Sequence, residues 1–287
     1  MGEIVNLNGR ITPAADAKVS VFDRSFLFGD GIYESLRSYR GRLLLLDRHL
    51  DRLEFSASRL AIPLGLPRAE LAAEVEAAVV ASGNLESMVR IVISRGEGFP
   101  DGDPARCATP PNRAILVRPF QPLPARLYAE GTHAVVVDVR RNDRRSLDPA
   151  VKSNNLLNNL LGSIEAHRRG APEGILLNLA DEIAEGTNSN VFMVAAGALR
   201  TPSLESGILS GITRELVLEV ARAAGVQASE ERISLQELRE AEEIFLTSTS
   251  RELLPVVRLD GQAVGDGKPG PLTRRLHALF RARVGAA

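Results

Sequence analysis

Phe28-Gly29-Asp30-Gly31-Ile32-Tyr33-Glu34-Ser35-Leu36-Arg37-Ser38-Tyr39-Arg40-Gly41 opens on a turn, alternates as a strand from Ile32 to Tyr39, and turns again at Arg40-Gly41. A period of two puts every second side chain on one face, so this stretch predicts a strand with one buried face. Leu43-Leu44-Leu45 brings the chain back. A helix then follows: Asp47 can cap it, and Leu46, Leu50, Leu53, Ala57 and Leu60 recur at helical spacing until Pro63. A second helix is predicted over about 68–81, with strands at 88–94 and 114–117. Upstream, Ile4-Val5-Asn6-Leu7, an Asn8-Gly9 turn and an extended run ending at Val19-Ser20-Val21-Phe22 read as a β-hairpin over 4–22. Hairpin, strand, two helices and more strands make an α+β domain, not a doubly wound sheet.

Beyond this block, Pro119, Pro122 and Pro124 mark a linker. The expected division is a first domain over residues 1–120, a linker over 121–130 and a second domain over 131–287. In the second domain the patterns predict a strand at 133–139, a helix at 152–169, strands at 174–179 and 190–194, and a helix at 211–224. A strand at 243–247, a hairpin around Asp260-Gly261 and a last helix at 271–283 complete it.

The net charge is −1, with acidic and basic residues interspersed. No basic arm or stripe is present, which argues against a nucleic-acid or anionic-membrane partner. No apolar run approaches the roughly 20 residues a membrane helix needs. The N-terminal residues Met1 to Leu7 lack the apolar core of a signal peptide. Cys107 is the only cysteine, so no intrachain disulfide can form; a reducing, cytoplasmic compartment is expected. His49, His133, His167 and His277 have no metal-ligand spacing, and no metal site is expected.

Only three lysines stand among the 35 basic residues, and one of them is in Val151-Lys152-Ser153-Asn154-Asn155-Leu156-Leu157. An arginine cannot lose its proton and attack a carbonyl, whereas a lysine can. Lys152 is therefore a candidate Schiff-base lysine. Downstream, Glu185-Gly186-Thr187-Asn188-Ser189-Asn190 lies between two apolar strands and can present a carboxylate; it reads equally as a solvated turn. Gly207-Ile208-Leu209-Ser210-Gly211-Ile212-Thr213-Arg214 opens a helix, and its free N–H groups form a natural phosphate cradle; an ordinary capped helix is the simpler reading. Thr247-Ser248-Thr249-Ser250-Arg251 offers hydroxyls at a strand end, where serine and threonine also merely end strands. A lysine for a Schiff base, an acid to keep a pyridine nitrogen protonated and a helix N-terminus for a phosphate are together what pyridoxal 5′-phosphate requires.

These segments resemble, in order, the motifs of class IV (fold-type IV) pyridoxal-phosphate aminotransferases, the group of branched-chain and D-amino-acid aminotransferases and aminodeoxychorismate lyase. Asp23 to Glu34 resembles the family's N-terminal signature, and Leu50-Asp51-Arg52-Leu53 its phosphate-arginine helix. Val151-Lys152-Ser153, Glu185-Gly186-Thr187, Gly211-Ile212-Thr213-Arg214 and Ser248-Thr249-Ser250 resemble its later motifs. The resemblance implies a small N-terminal α/β sandwich domain and a larger, β-barrel-like C-terminal domain with surrounding helices, assembled as a homodimer. It implies that Lys152 binds the cofactor covalently and shuttles a proton, and that Glu185 pairs with the pyridine nitrogen. Arg52, Ile212, Thr213 and Thr249 would hold the phosphate, and Leu209 would pack on the ring.

Substrate choice rests on other residues. Tyr33 matches a substrate-side tyrosine of the D-amino-acid branch, and Ser250 lies in the turn on the substrate side. Arg90 is a charge within the apolar strand Met88 to Ser94, costly if buried without a partner; it reads as an anion contact. Arg24 is a weaker carboxylate candidate. Phe99 to Arg106 contains no histidine, so the Arg-x-His carboxylate trap usual in D-amino-acid aminotransferases is missing. Met88, Ser35 and Ser248-Thr249-Ser250 depart from the branched-chain pattern. The expected activity is transamination between an α-amino acid and a 2-oxo acid such as 2-oxoglutarate or pyruvate. A D-amino acid leads, and a branched-chain L-amino acid follows closely. The alternatives are pyruvate elimination from aminodeoxychorismate, giving p-aminobenzoate, and a non-catalytic dimeric homologue.

Overall fold

A computed structural model describes residues 2–98 and 102–286. The chain divides into two compact units. The first runs to Gln121 and takes in Val151–Leu156; the second holds Pro122–Ala150 and resumes at Leu157.

The first unit contains strands β1 (Ile4–Leu7) and β2 (Arg10–Pro13), helix α1 (Arg24–Phe28), and strands β3 (Gly31–Tyr39) and β4 (Arg42–Leu43). Helices α2 (Leu46–Leu60) and α3 (Arg68–Ser82) and strands β5 (Ser87–Ser94) and β6 (Arg113–Pro119) follow. Six strands form one sheet in the order β2-β1-β6-β5-β3-β4. Asn8 and Gly9 both take positive φ, 53° and 88°, which is the backbone a two-residue hairpin turn needs. The second hairpin strand stops at Pro13, well short of the expected Phe22: Pro13 has no N–H to continue a ladder, and Val19, Val21 and Phe22 are exposed.

The alternation read from sequence is physical. Ile32 and Leu36 of β3, Val89, Ile91 and Ile93 of β5, and Ile115 and Val117 of β6 are fully buried against Leu50, Leu53, Ala57, Leu71 and Val75 of the two long helices. Tyr33, Ser35, Arg90 and Val92 occupy the intervening positions and lie on the other face, with Tyr33 opposite Val92 and Ser35 opposite Arg90.

The second unit contains α4 (Arg126–Glu130), β7 (Thr132–Val136), α5 (Leu157–Arg168), β8 (Glu173–Leu177), β9 (Ile183–Gly186), β10 (Asn190–Ala195) and β11 (Ala198–Pro202). It continues with α6 (Ile212–Ala223), β12 (Ala228–Glu231), α7 (Leu235–Arg239), β13 (Glu243–Ser248), β14 (Glu252–Leu259), β15 (Gln262–Ala263) and α8 (Pro271–Arg283). Its sheet runs β12-β11-β10-β13-β14-β7-β8-β9, with β15 on β14. Edge strand β9 also contacts β10 and β11, so the sheet curls back on itself into a half-barrel. Ile175, Ile183, Val191, Met193, Ile244, Leu246 and Val256 form its core.

Three expectations change here. Residues 126–130, expected in a linker, are helix α4 packed on β14. Residues 152–156 are not helical, and α5 begins at Leu157. The backbone there is committed to β3, since Tyr33 N–H donates to Lys152 O (3.0 Å) and Asn154 N–H to Gly31 O (2.8 Å). Lys152 thus belongs to the first unit, not to the expected 131–287 domain. Finally, Glu185, read as part of a polar junction, lies inside β9, paired with Leu176. Among the described residues no helix is long and apolar enough to cross a membrane.

Candidate active-site residues

In the first unit the lysine segment runs alongside β3. Beyond the two hydrogen bonds above, Ser153 bridges Ile32, and Lys152 N–H donates to Ser56 Oγ of α2 at 3.1 Å. Gly31 permits this approach: a Cβ there would stand 2.7 Å from Asn154 Nδ2. The Lys152 ammonium lies 4.5 Å from the centre of the Tyr33 ring, and the Arg90 guanidinium lies 3.9 Å from the same centre. A tyrosine ring attracts cations through its quadrupole. Tyr33 therefore gathers a nucleophile and a fixed positive charge at one place, on the face away from α2 and α3. Arg90 is half-buried, with its guanidinium over the Tyr33 ring.

Glu34, the next residue, points to the helix side and is fully buried. It accepts from Arg52 Nε (2.7 Å, to Oε1) and Arg52 Nη2 (2.8 Å, to Oε2), and its Oε2 lies 2.7 Å from His49 Nδ1. Burial works to raise its carboxyl, but hydrogen bonds and charge from Arg52, then His49, more than offset this and hold it at about 2. Burial likewise pushes His49 down, against Glu34, with the Arg52 and Lys152 charges adding to the fall. Arg52, expected at a phosphate, is thus aimed by a buried carboxylate. Neither Glu34 nor His49 was singled out from sequence, although a charge at an inward strand position and a histidine three residues before Arg52 were both visible. Arg24 is engaged elsewhere, with Asp30 (2.8 Å) and with Gly102 O and Asp103 O. Phe99, Pro100 and Asp101, part of the stretch read for the Arg-x-His trap, lie outside the described residues, as does Met1.

In the second unit Glu185 is 4 % exposed. Its Oε2 accepts from Leu209 N–H at 3.0 Å and from Asn190 Nδ2 at 3.3 Å, and its Oε1 lies 2.8 Å from Arg141 Nε. Asn190 Nδ2 also reaches Leu209 O at 3.0 Å. Two expected residues, Glu185 and Leu209, are thereby joined. Arg141 and Asn190 carry no role assigned from the sequence, where Arg141 is one of four arginines within residues 140–145. Helix α6 starts at Ile212 and Thr213 after Gly211, and no side chain caps it. Its first N–H groups carry the positive end of the helix dipole. Gly211 is required by contact: a Cβ would come within 1.9 Å of Asn190 Oδ1. After β13, Ser248 to Arg251 form a turn closed by Arg251 N–H to Ser248 O (3.2 Å), with Ser248 Oγ and Ser250 Oγ 3.5 Å apart and Thr249 between them. Arg251 pairs with the buried Glu173, whose carboxyl is pushed up by burial, against the Arg251 charge.

Buried polar atoms normally find partners. Among the described residues of this unit, Ser189 Oγ, Thr247 Oγ1, Glu173 Oε2 and Arg251 Nη1 are buried and have none. An uncapped helix start, a fixed carboxylate and the unpartnered Ser189 and Thr247 hydroxyls suit a polar, phosphate-bearing ring such as pyridoxal phosphate.

The family description "amino-transferase class IV" matches residues 31–259. A Methanocaldococcus jannaschii protein, provisionally named a branched-chain-amino-acid aminotransferase, is 37 % identical over 96 % of this chain and 95 % of its own length. A D-alanine aminotransferase of Listeria monocytogenes is 34 % identical over 96 % of this chain and 94 % of its own length. The crystal structure of the Escherichia coli branched-chain amino acid aminotransferase superimposes with a TM-score of 0.95 at 28 % identity, covering 100 % of this chain and 96 % of that one.

Proposed function

The chain belongs to the class IV aminotransferases, enzymes that use pyridoxal 5′-phosphate, and from that premise we propose that it transfers the amino group of a D-amino acid to a 2-oxo acid such as 2-oxoglutarate or pyruvate. The observation that carries this reading is the Arg90 guanidinium set against Tyr33, the ring that also meets the Lys152 ammonium. A half-buried guanidinium at 3.9 Å from that ring is a carboxylate anchor in a chain whose stretch 99–106 has no histidine to form the Arg-x-His trap. Tyr33 matches a substrate-side tyrosine of the D-amino-acid branch in the resemblance, and Arg90 beside it would take the place of the missing Arg-x-His. The branched-chain L-amino-acid reading stands second, favoured by the likeness to the E. coli enzyme.

Bound pyridoxal phosphate supplies a carbonyl that takes up the amino group and a protonated ring that withdraws electrons from the substrate Cα. With the cofactor bound, Lys152 would carry the proton between Cα and the cofactor C4′, a role for a group that can exist uncharged. Its backbone, tied to Tyr33 and Ser56, limits its swing. Glu185 holds the proton at the pyridine nitrogen. Arg52, the Ile212 and Thr213 N–H groups and Thr249 would hold the phosphate, Leu209 would pack on the ring, and Ser250 would line the substrate side.

The assembly is a homodimer in this reading. Leu157, Leu160, Leu161 and Ile164 form an i, i+3, i+4, i+7 stripe on α5, each 46 to 61 % exposed. A surface helix normally turns such a stripe inward. The single cysteine suits a cytoplasmic setting.

A half-reaction screen tests the substrate. The yellow enzyme is mixed with single D- and L-amino acids, and loss of the bound-cofactor absorbance is followed. D-alanine or D-glutamate should bleach it. Bleaching by L-leucine or L-valine alone replaces the D-amino-acid reading with the branched-chain one. Release of p-aminobenzoate from aminodeoxychorismate, with no amino acid reacting, overturns both.

A further inference from the structure

We propose that Arg141 is a positioning residue that keeps the shared proton on the cofactor's pyridine nitrogen instead of on Glu185. This rests on the reading of Glu185 as the partner of that nitrogen. Arg141 is 8 % exposed, and its Nε lies 2.8 Å from Glu185 Oε1. The Nε–H is not directed at the oxygen, so the contact is a charge pair and not a formed hydrogen bond.

The guanidinium is held from the other side. Arg141 Nη1 donates to Asn158 Oδ1 (3.0 Å) and Asn159 Oδ1 (3.3 Å) at the start of α5. Asn158 Nδ2 donates back to Arg140 O (2.8 Å), and Asn159 Nδ2 to Thr187 O (2.7 Å), two residues beyond Glu185. The Arg141 backbone N–H is fixed to Leu177 O at the end of β8, 2.8 Å away. The charge is therefore built into place from three segments.

A buried ion pair is a poor device for stability, because desolvation of both charges offsets much of their attraction. An apolar pair would serve packing as well, so the pair calls for another use. With the cofactor bound, one proton would be shared between Glu185 and the pyridine nitrogen. A guanidinium permanently charged beside the carboxylate lowers the pull of that carboxylate on the proton. The proton stays on the ring, where it is needed to withdraw electrons. Without Arg141 the carboxylate becomes the stronger base of the two and takes the proton, leaving a neutral ring and a neutral acid.

The experiment loads wild type, R141Q, R141K and E185Q with pyridoxal phosphate labelled with ¹⁵N in the ring and reads the ring-nitrogen chemical shift. Thermal melting and cofactor content are measured alongside. In R141Q the signal should move more than halfway from the protonated to the unprotonated reference. R141K, which keeps the charge, should hold the wild-type position. An unmoved signal in folded, loaded R141Q overturns the role of Arg141, provided that E185Q does move it. An unmoved signal in E185Q overturns the reading of Glu185 itself. If R141Q fails to fold, R141K decides: a signal that leaves the protonated range despite the retained charge overturns the proposal, and a retained one supports it.

Discussion

Glu34 on β3 and Arg52 on α2 meet through two parallel hydrogen bonds, Nε to Oε1 at 2.7 Å and Nη2 to Oε2 at 2.8 Å, with the carboxylate wholly out of solvent. A fork of this kind fixes the plane of the guanidinium as well as its charge. The Glu34 carboxyl is depressed, from an ordinary 4.5 to about 2. Its contribution to stability is therefore complete above about pH 4.5 and is lost as pH falls through about 2. Glu34→Gln should lower the unfolding free energy by on the order of 3 kcal/mol at neutral pH. Urea denaturation at pH 7 and in a series down to pH 2.5 should show the variant losing less between those limits than the wild type. Its cofactor dissociation constant should also rise, because Arg52 is no longer aimed.

Lys152→Ala should reduce turnover roughly 10³-fold or more, since the covalent attachment and the proton shuttle proposed for it are both removed. The phosphate contacts remain, so equilibrium dialysis should still find cofactor bound. Transamination within tenfold of wild type would remove Lys152 from the chemistry.

Arg90→Ala should raise KM for both the amino acid and the 2-oxo acid, with kcat/KM falling roughly 30- to 100-fold, the loss of one charge-assisted contact worth about 2–3 kcal/mol. Arg90→Lys should recover only part, because an ammonium lacks the planar fork. Steady-state kinetics with varied donor and acceptor checks this. An effect confined to kcat would argue that Arg90 does not hold the carboxylate.

Gly211→Ala forces a methyl group against Asn190 Oδ1, and Asn190 cannot yield freely while it bonds both Glu185 and Leu209 O. The φ of Gly211 is −74°, so the cost is contact and not backbone strain. Overpacking of this kind costs about 1–3 kcal/mol. A melting scan without cofactor reads that loss. A titration with pyridoxal phosphate should show weakened binding, as the helix start is displaced from the phosphate.

In the proposed homodimer, Leu160→Asp, or Ile164→Asp, should leave the secondary structure intact and yield monomers. Both side chains are about half exposed in one chain. Sedimentation velocity checks the mass, and an unchanged dimer would move the interface away from α5.

Much of the first unit was legible because its period was clean. Ile32, Leu36, Val89, Ile91 and Ile115 alternate along strands, and Leu50, Leu53 and Ala57 mark one helix face; both patterns are created by the same buried layer. What the pattern missed depends on partners distant in sequence. The strand over Ile183–Gly186 is short, and it exists because β8 pairs with it. Residues 152–156 border a leucine-rich helix and their composition reads as part of it, whereas their backbone bonds are spent on β3. Among candidate site residues, Lys152 stood out through the scarcity of lysine, and Glu185 through its motif. Arg141 could not stand out: four arginines lie within residues 140–145, and only burial distinguishes one from the next.

The assignment of Val151–Leu156 to the first unit bears on how such chains can be recombined. An exchange between two homologues with its seam at residue 121 would look natural, since the first unit's main block ends there. It would nonetheless graft one parent's β3 beneath the other parent's lysine segment, and the Tyr33, Ser56 and Gly31 contacts would join residues of different ancestry. A workable chimera has to carry residues 151–156 along with the N-terminal block, as a two-piece inheritance.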